Sequence, residues 1–236
     1  MSGRLKSRIA LVAGASRGIG AAVAKRFAAE GAHVILTGRT VGGLEETDDA
    51  IRAAGGSATL SPFDLKEYDA IDRLGGALAE RYGRLDVLVG NAAMLGQLAP
   101  MGHVPPGVWE EAVSVNLTAQ WRLIRAFDPL LRASGAGRAI FVTSSVAAHP
   151  HAYWGVYAVT KAGLETMVRT WAAELEKTNV RVNLVDPGAV RTQMRAAAFP
   201  GEDPETLPPP ESVTGAFVEL AGATCTRHGE VVRAAN

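Results

Sequence analysis

Short apolar and β-branched runs recur along the chain, and the segments between them carry apolar residues at helical spacing. Runs this continuous are typical of strands that are buried on both faces of a parallel sheet. The predicted strands are residues 9–13, 33–37, 58–63, 85–89, 139–143, 180–185 and, as the faintest run, 230–233. The predicted helices run from residue 19 to a stop at Gly31 and then over residues 41–54, 68–81, 106–132, 156–178 and 211–220.

This alternation predicts an α/β fold, with one doubly wound parallel sheet of about seven strands and helices on both of its faces. The 236 residues fit a single domain, residues 1–236, without an internal repeat or a low-complexity tract. A stretch with five prolines, residues 199–210, falls inside the unfinished pattern of strands and helices. We therefore interpret it as a surface excursion and not as a linker between domains.

Composition narrows the class of protein. With 24 basic and 24 acidic residues, the formal net charge is zero, which gives no long-range attraction to nucleic acid or to anionic lipid. Apolar residues make up 47% of the chain, which is too many for a disordered protein. Cys225 is the only cysteine, so an internal disulfide and a cysteine-rich zinc site are excluded and a reducing compartment is expected.

The N-terminus superficially resembles a secretion signal, because Arg4, Lys6 and Arg8 precede an apolar run at residues 9–15. The run is short for such a signal, and Arg17 follows it almost at once. No stretch approaches the roughly eighteen apolar residues of a membrane span. We therefore expect a soluble, cytoplasmic protein without membrane or nucleic-acid partners.

A glycine-rich turn follows the first predicted strand, with the sequence Gly14-Ala-Ser-Arg-Gly18-Ile-Gly20. Between a strand and a helix, such glycines permit a tight turn and let a diphosphate approach the backbone, where free N–H groups at the helix start bind its oxygens. The spacing departs from the usual G-x-G-x-x-G fingerprint, and a turn that binds nothing is the alternative interpretation. The turn indicates dinucleotide binding, a hypothesis that the second strand helps to test.

The second predicted strand lacks the carboxylate that would bond the adenosine ribose, since it ends in Thr37-Gly38-Arg39. A guanidinium at this place suits a 2′-phosphate, and Arg17 could reach the same group. We therefore predict NADP(H) in preference to NAD(H); the alternative is that Arg39 only lies at a solvated strand end. Asp64, which follows the third strand, could accept a hydrogen bond from adenine or cap a helix.

Tyr157 and Lys161 are four residues apart, which on a helix places them one turn apart on the same face. A phenol titrates near pH 10, so it acts as an acid or base at neutral pH only where positive charge stabilises its anion. A neighbouring ammonium and an oxidised nicotinamide would both supply that charge. The strand before this helix ends in Ser144-Ser145, at the sheet edge where open α/β folds bind ligands.

Six motifs, in this order, resemble those of the short-chain dehydrogenase/reductase family. They are the glycine-rich turn, Gly90-Asn91-Ala92-Ala93, Asn116, Ser144-Ser145, Tyr157-x-x-x-Lys161 and Asp186-Pro187-Gly188-Ala-Val-Arg-Thr192. The resemblance is strong over residues 6–192. It implies a Rossmann fold and an NADP(H)-dependent oxidoreductase that transfers hydride between nicotinamide and a small alcohol or carbonyl substrate.

The resemblance also implies a role for each residue. Tyr157 would be the acid/base, and Lys161 would lower the pKa of Tyr157 and hold the ribose. A serine would polarise the substrate oxygen, and Asn116 would hold a water of the proton relay. Thr192 and the backbone of Val190 would contact the nicotinamide carboxamide. The other implied cofactor contacts are Gly14, Ser16, Arg17, Gly18, Ile19, Gly20, Arg39, Asp64, Leu65, Asn91, Ala92, Tyr157, Lys161, Pro187 and Gly188.

The chain departs from the family pattern in three places. Ala13 stands where the glycine motif usually has threonine, and Gly90 stands where the fourth strand usually has a first asparagine. Both changes remove a side-chain contact between neighbouring strand ends, but neither removes a reacting group. Near the C-terminus the chain has His228-Gly229 where members often have Thr-Gly, which leaves the last strand in question.

The catalytic serine is ambiguous. Ser144 gives the commoner spacing to Tyr157, whereas Ser145 matches by its place at the strand end. We choose Ser145, because a deletion in the following loop is easier than a one-residue shift of the strand, which would turn its side chains to opposite faces.

Residues near the serine and tyrosine are expected to border the substrate pocket, together with a substrate-side loop over residues 193–211. The candidates are Met94, Leu95, Gln97, His149, His151, Tyr153, Trp154 and residues 193–199. An apolar pocket would suit a lipid, steroid-like or aromatic carbonyl, although aromatic loop residues often simply pack together. The two histidines have no carboxylate or cysteine nearby in sequence, so no metal site is expected.

The sequence allows an alternative to catalysis and an alternative to oligomer formation. A non-catalytic NADP(H)-binding regulator or scaffold of the same fold is the competing hypothesis, although the intact set of Asn, Ser, Tyr and Lys argues against it. Family members pair two helices into dimers or tetramers, and Trp121, Phe127, Met167 and Trp171 lie on the corresponding segments. A homodimer or homotetramer is therefore expected, with core packing of these four side chains as the alternative.

Overall fold

The computed structural model describes residues 3–234, and its strands form one seven-stranded sheet. The strands are β1 (Ile9–Ala13), β2 (His33–Gly38), β3 (Ser57–Pro62), β4 (Val87–Gly90), β5 (Arg138–Val142), β6 (Arg181–Asp186) and β7 (Val231–Arg233). Their order across the sheet is β3-β2-β1-β4-β5-β6-β7, and each pairing is parallel. The predicted doubly wound α/β sheet is confirmed, with small shifts at the strand ends.

Helices connect the strands. They are α1 (Gly18–Ala29), α2 (Val41–Ala53), α3 (Tyr68–Tyr82), α4 (Pro106–Val113), α5 (Ala119–Ala133), α6 (Gly155–Glu174), α7 (Gln193–Ala198) and α8 (Thr214–Ala221). The helix predicted over residues 106–132 differs from the prediction, because a π-helical turn at Ser114–Thr118 separates α4 from α5. That turn places Asn116 at a local change of helical pitch.

The sheet is covered on both faces, which explains the continuous apolar runs in its strands. On one face, α1, α2 and α8 pack in a core that contains Val34 and Leu36 of β2. On the other face, α3, α5 and α6 pack in a core that contains Ile35. Successive residues of one strand therefore enter opposite cores.

The crevice at the carboxyl edge of the sheet lies beside β1. This strand pairs with β2 on one side and with β4 on the other, so that Ala13 is aligned with both Thr37 and Gly90. From β1 the chain continues to β2 and β3 on one side, and then returns to place β4 and the later strands on the other side. Open α/β folds bind their ligands where the strand order reverses in this way. The candidate motifs follow strands, so the topology brings them to this edge.

The last strand is present in spite of the changed C-terminal motif. β7 pairs with β6, and His228 ties the segment before it to the core. The Nδ1 atom of His228 accepts the Val182 N–H at 3.1 Å, while Nε2 lies 2.7 Å from the Ala172 carbonyl oxygen. Because Nδ1 is an acceptor, the imidazole proton is on Nε2 and is donated to Ala172. The His228 imidazole therefore connects β6 to α6 beside the start of β7.

The four side chains considered for an outward-facing surface have different environments. Phe127 and Trp171 lie in the core, and the Trp171 indole N–H donates to Asp128 at 2.9 Å. Met167 is half-buried, and Trp121 is 46% exposed. Core packing is therefore the correct interpretation for Phe127 and Trp171.

The N-terminal apolar run forms β1, an interior strand of the sheet, and the start of the glycine-rich turn. Every residue from Ile9 to Ala13 is buried. Between residues 3 and 234, none of the helices has the length and apolar character needed to cross a membrane.

Candidate active site

The glycine-rich turn connects β1 to α1 at the crevice. The turn itself contains Gly14, Ser16 and Arg17, and the helix opens with Gly18, Ile19 and Gly20. A Cβ atom at position 20 would lie 2.0 Å from the Gly14 carbonyl oxygen, so only glycine allows this close approach of helix and strand.

The start of α1 is free to bind an anion. Arg17 occupies the N-cap position without a side-chain hydrogen bond, and the first turn has no acidic residue. The N–H groups at the start of the helix and the positive end of its dipole are therefore available to phosphate oxygens. Thr192 lies across from this turn, close to Gly18. These residues fit the diphosphate of a dinucleotide.

Arg39 and Asp64 meet at the carboxyl ends of β2 and β3. The Arg39 side chain is 63% exposed, and its nitrogen lies 3.9 Å from an Asp64 carboxylate oxygen. Asp64 also accepts the Lys66 N–H at 2.9 Å. The N-cap of α3 is Glu67, so the interpretation of Asp64 as a helix cap is wrong. Leu65 is buried in the core, which leaves only its backbone for contact with a ligand.

Hydrogen bonds to the backbone connect the strand ends at Ala13 and Gly90, where the usual side-chain contact is missing. The N–H groups of Asn91 and Ala92 both donate to the Ala13 carbonyl oxygen, at 3.3 and 2.9 Å. The Asn91 side-chain amide donates to the Gly14 carbonyl oxygen at 3.1 Å. The ends of β1 and β4 thus stay connected beneath the glycine-rich turn.

Gln120 occupies the space beside Gly90, a feature that the sequence analysis missed. Its buried side-chain amide donates to the carbonyl oxygens of Ala92 and Val115, at 3.0 and 3.2 Å. A Cβ atom at position 90 would lie 2.6 Å from the Gln120 side-chain oxygen and 2.3 Å from the ring of Phe141. The available signal was a glutamine one helical turn after Asn116.

Asn116 is buried, and its side chain joins three segments. Its oxygen accepts the Met94 N–H at 2.8 Å, while its amide donates to the Met94 carbonyl oxygen at 2.8 Å and to the Thr160 hydroxyl at 3.0 Å. The Thr160 hydroxyl donates in turn to the Tyr157 carbonyl oxygen at 2.9 Å. Both amide hydrogens are therefore used to fix the loop after β4 against α6. Thr160 is a second polar residue that the sequence analysis missed.

Tyr157 and Lys161 are both buried on α6, with exposures of 8% and 2%. The Lys161 ammonium donates to the Val142 carbonyl oxygen at 2.7 Å and lies 5.6 Å from the centre of the Tyr157 ring. Burial lowers the pKa of Lys161 to about 8. Burial also raises the pKa of Tyr157 above its ordinary value, and the nearby Asp186 carboxylate raises it further.

The serine pair follows the end of β5. Ser144 is extended, with φ −159° and ψ 150°, so the side chains of Thr143 and Ser145 leave the chain on the same side. The Thr143 hydroxyl donates to Glu165 of α6 at 2.7 Å, which identifies that side as the one facing α6. Ser145 is exposed and starts a short 3₁₀ turn, whereas Ser144 is half-buried.

The segment after β6 completes the edge. The Gly188 N–H donates to the Asp186 carboxylate at 3.0 Å, and Pro187 between them is buried. The Val190 side chain is in the core. The Thr192 oxygen accepts the Arg195 N–H at 3.2 Å and caps α7, which leaves the hydroxyl hydrogen of Thr192 free to donate.

An apolar wall stands beside Tyr157. Leu95, Trp154 and Met194 pack against the small cluster that contains Tyr157. The Trp154 ring centre lies 6.1 Å from that of Tyr157 and 5.6 Å from that of Phe199. The other predicted pocket residues His149, His151, Tyr153 and Gln97 are exposed. Among residues 3–234, no three His, Cys, Asp or Glu side chains are grouped to hold a metal.

Comparison with known proteins supports this description. Residues 8–203 match the family model of the short chain dehydrogenases. The oxidoreductase YciK of Escherichia coli K12 is 38% identical over 221 residues, which cover 92% of this chain and 87% of YciK. A short-chain dehydrogenase of Escherichia coli CFT073 complexed with NADPH has a TM-score of 0.95 and 36% identity, and the match covers 100% of both chains. One of Shigella flexneri 2a complexed with NADP also has a TM-score of 0.95 and 36% identity, over 99% of both chains. The chain thus belongs to the short-chain dehydrogenase/reductase family, whose members are oxidoreductases that act with NAD(P).

Proposed function

We propose that the protein is an NADP(H)-dependent oxidoreductase that interconverts an alcohol and a carbonyl compound, with Tyr157 as the acid/base. The observation that carries the proposal is the burial of Tyr157 and Lys161, one turn apart on α6, beside the ends of β5 and β6. Buried ionisable groups with strongly displaced pKa values destabilise a fold and concentrate at sites where the chemistry requires them.

The proton chemistry follows from this pair. The nicotinamide, when bound, supplies or accepts a hydride at the substrate carbon. Tyr157 donates its proton to the substrate oxygen during reduction and takes it back during oxidation. The Lys161 ammonium stabilises the phenolate that remains. Because the pKa of Lys161 is lowered to about 8, this side chain also exchanges protons close to neutral pH.

Ser145 donates a hydrogen bond to the substrate oxygen in this proposal. Its exposure and its projection towards α6 support it over Ser144, whose side chain leaves on the opposite side. Asn116 contributes by position: through Met94 and Thr160 it fixes the two segments between which the substrate lies.

The preference for NADP(H) is supported by Arg39 and by the two structural neighbours complexed with NADP or NADPH. We expect Arg39→Ala to lower kcat/KM for NADPH about 10- to 100-fold, the range for a lost charge-assisted hydrogen bond, and to leave kcat/KM for NADH within about threefold. Steady-state kinetics with both cofactors measures this. Arg52→Ala is the matched control, since Arg52 of α2 is also an arginine with a 63% exposed side chain. Equal losses with the two cofactors would contradict the assignment of Arg39.

The proposed function is tested by NADPH consumption with a panel of aldehydes, ketones, quinones and 3-oxoacyl thioesters. We expect carbonyl-dependent oxidation of NADPH and the reverse reaction with the product alcohol and NADP. NADPH binding measured by calorimetry, with no turnover of any panel member, would contradict the proposal and favour a binding protein.

A further inference from the structure

Next to the apolar wall beside Tyr157, the Arg195 side chain stacks on the ring of Phe199. The Arg195 guanidinium lies 3.8 Å from the centre of the Phe199 ring, and Phe199 contacts Trp154. Two hydrogen bonds of 2.6 Å join the same guanidinium to both carboxylate oxygens of Glu202. A bidentate pair of this kind fixes the plane of the guanidinium, and stacking fixes the ring beneath it.

The charges of the substrate-side loop disfavour an anion. Residues 193–211 contain one cation, Arg195, against four carboxylates, Glu202, Asp203, Glu205 and Glu211. Glu202 already neutralises Arg195, and Arg191, just before the loop, pairs with Glu205.

The other charged groups beside Tyr157 do not change this balance. Asp186 adds a negative charge, and the Lys161 ammonium is held by the Val142 carbonyl oxygen. Since Lys161 also serves Tyr157 in the proposed function, Arg191, Arg195 and Lys161 are all engaged, and none of them is free to pair with a substrate carboxylate.

We propose that the enzyme selects uncharged aromatic or alicyclic carbonyl compounds, which lie against Trp154 and Phe199, and that the Glu202 carboxylate sets this selectivity by neutralising Arg195. The proposal rests on the proposed function. Flat apolar rings gain contact with the two aromatic side chains, whereas a carboxylate attached to the same ring would have to be desolvated beside a negatively charged loop. Phe199, Arg195 and Glu202 are thus specificity-determining residues.

The test uses pairs of substrates with the same reacting group and different charge: benzaldehyde with 4-formylbenzoate, and acetophenone with 4-acetylbenzoate. We expect wild-type kcat/KM to favour the neutral member of each pair. Glu202→Gln frees Arg195 and should raise the ratio of anionic to neutral kcat/KM about fivefold, as expected for one partly exposed ion pair. Glu211→Gln is the matched control, because it removes the same charge from the same loop at an exposed carboxylate that pairs with no cation among residues 3–234; it should leave the ratio unchanged.

A second variant tests the aromatic wall. Phe199→Ala should raise KM for the neutral aromatic substrates and leave the affinity for NADPH unchanged, and Phe199→Tyr should restore the wild-type KM. Wild-type preference for the anionic member, or equal ratios for Glu202→Gln and Glu211→Gln, would overturn the inference.

Binding measurements separate this inference from the proposed function. If no substrate turns over, calorimetric affinities of the complex with NADP for the two members of each pair give the same ratio. Selective binding without turnover would then contradict only the proposed function, whereas turnover without selectivity would contradict only this inference.

Discussion

Replacing Tyr157 by phenylalanine should lower kcat about a thousandfold and leave the dissociation constant of NADPH unchanged. The phenol oxygen is the group that gives or takes the substrate proton, and a positioned acid/base of this kind typically contributes two to four orders of magnitude. The ring would keep its packing beside Trp154, so the fold and the cofactor site are preserved. Steady-state kinetics and calorimetry measure the two quantities.

Tyr82→Phe is the control for this variant, because it makes the same change at the end of α3 and should leave kcat unaltered.

The raised pKa of Tyr157 predicts how the rates of reduction and oxidation depend on pH. Burial and Asp186 raise the pKa of Tyr157, so the phenol stays protonated through neutral pH. Reduction should keep its rate from about pH 6 up to about pH 8, where the Lys161 ammonium begins to lose its proton, whereas oxidation, which needs the phenolate, should speed up with rising pH. A wild-type kcat for Tyr157→Phe would contradict the assignment of Tyr157 as the acid/base.

Replacing Lys161 by methionine should abolish turnover and, at the same time, stabilise the protein without cofactor at neutral pH. The fall of the Lys161 pKa from 10.5 to about 8 corresponds to a cost of about 3 kcal/mol for burying the ammonium. Methionine removes the charge but leaves the Val142 carbonyl oxygen without its donor, which costs about 1–2 kcal/mol. We therefore expect the free energy of unfolding to rise by about 1–2 kcal/mol at pH 7 in urea titrations.

The free energy of unfolding of the wild-type protein should depend on pH in a direction set by the lowered pKa of Lys161. Below pH 8 the ammonium is charged in both the folded and the unfolded chain, and the full cost is present. Between pH 8 and 10.5 the folded chain has released the proton while the unfolded chain still holds it, so the free energy of unfolding rises with pH. The methionine variant should lack this rise. Lys177→Met, at an exposed lysine, is the control that should keep it. A variant less stable than wild type at pH 7 would show that the ammonium stabilises the fold.

The strands and helices were predictable because strands that are buried on both faces of a sheet have long apolar runs in their sequence. The interruption at Ser114–Thr118 was not predictable from helical spacing, since a π-helical turn changes the pitch without an obvious breaker residue. The helix-cap alternative for Asp64 failed for a local reason: its carboxylate is used by the Lys66 N–H before the helix begins. The burial of Phe127 and Trp171 was also not predictable from the sequence, because an amphipathic pattern does not show how wide the buried face of a helix is.

By itself, the sequence determined the order of the elements, the glycine-rich turn and the spacing of Tyr157 and Lys161, because each depends on neighbours along the chain. The tertiary structure alone decided which distant groups meet: Gln120 beside Gly90, Asn116 on Met94 and Thr160, and the Arg195 stack on Phe199. These contacts depend on how helices and loops pack over the sheet edge. Packing is settled by shape and by the need of buried polar groups for partners, which no local spacing records.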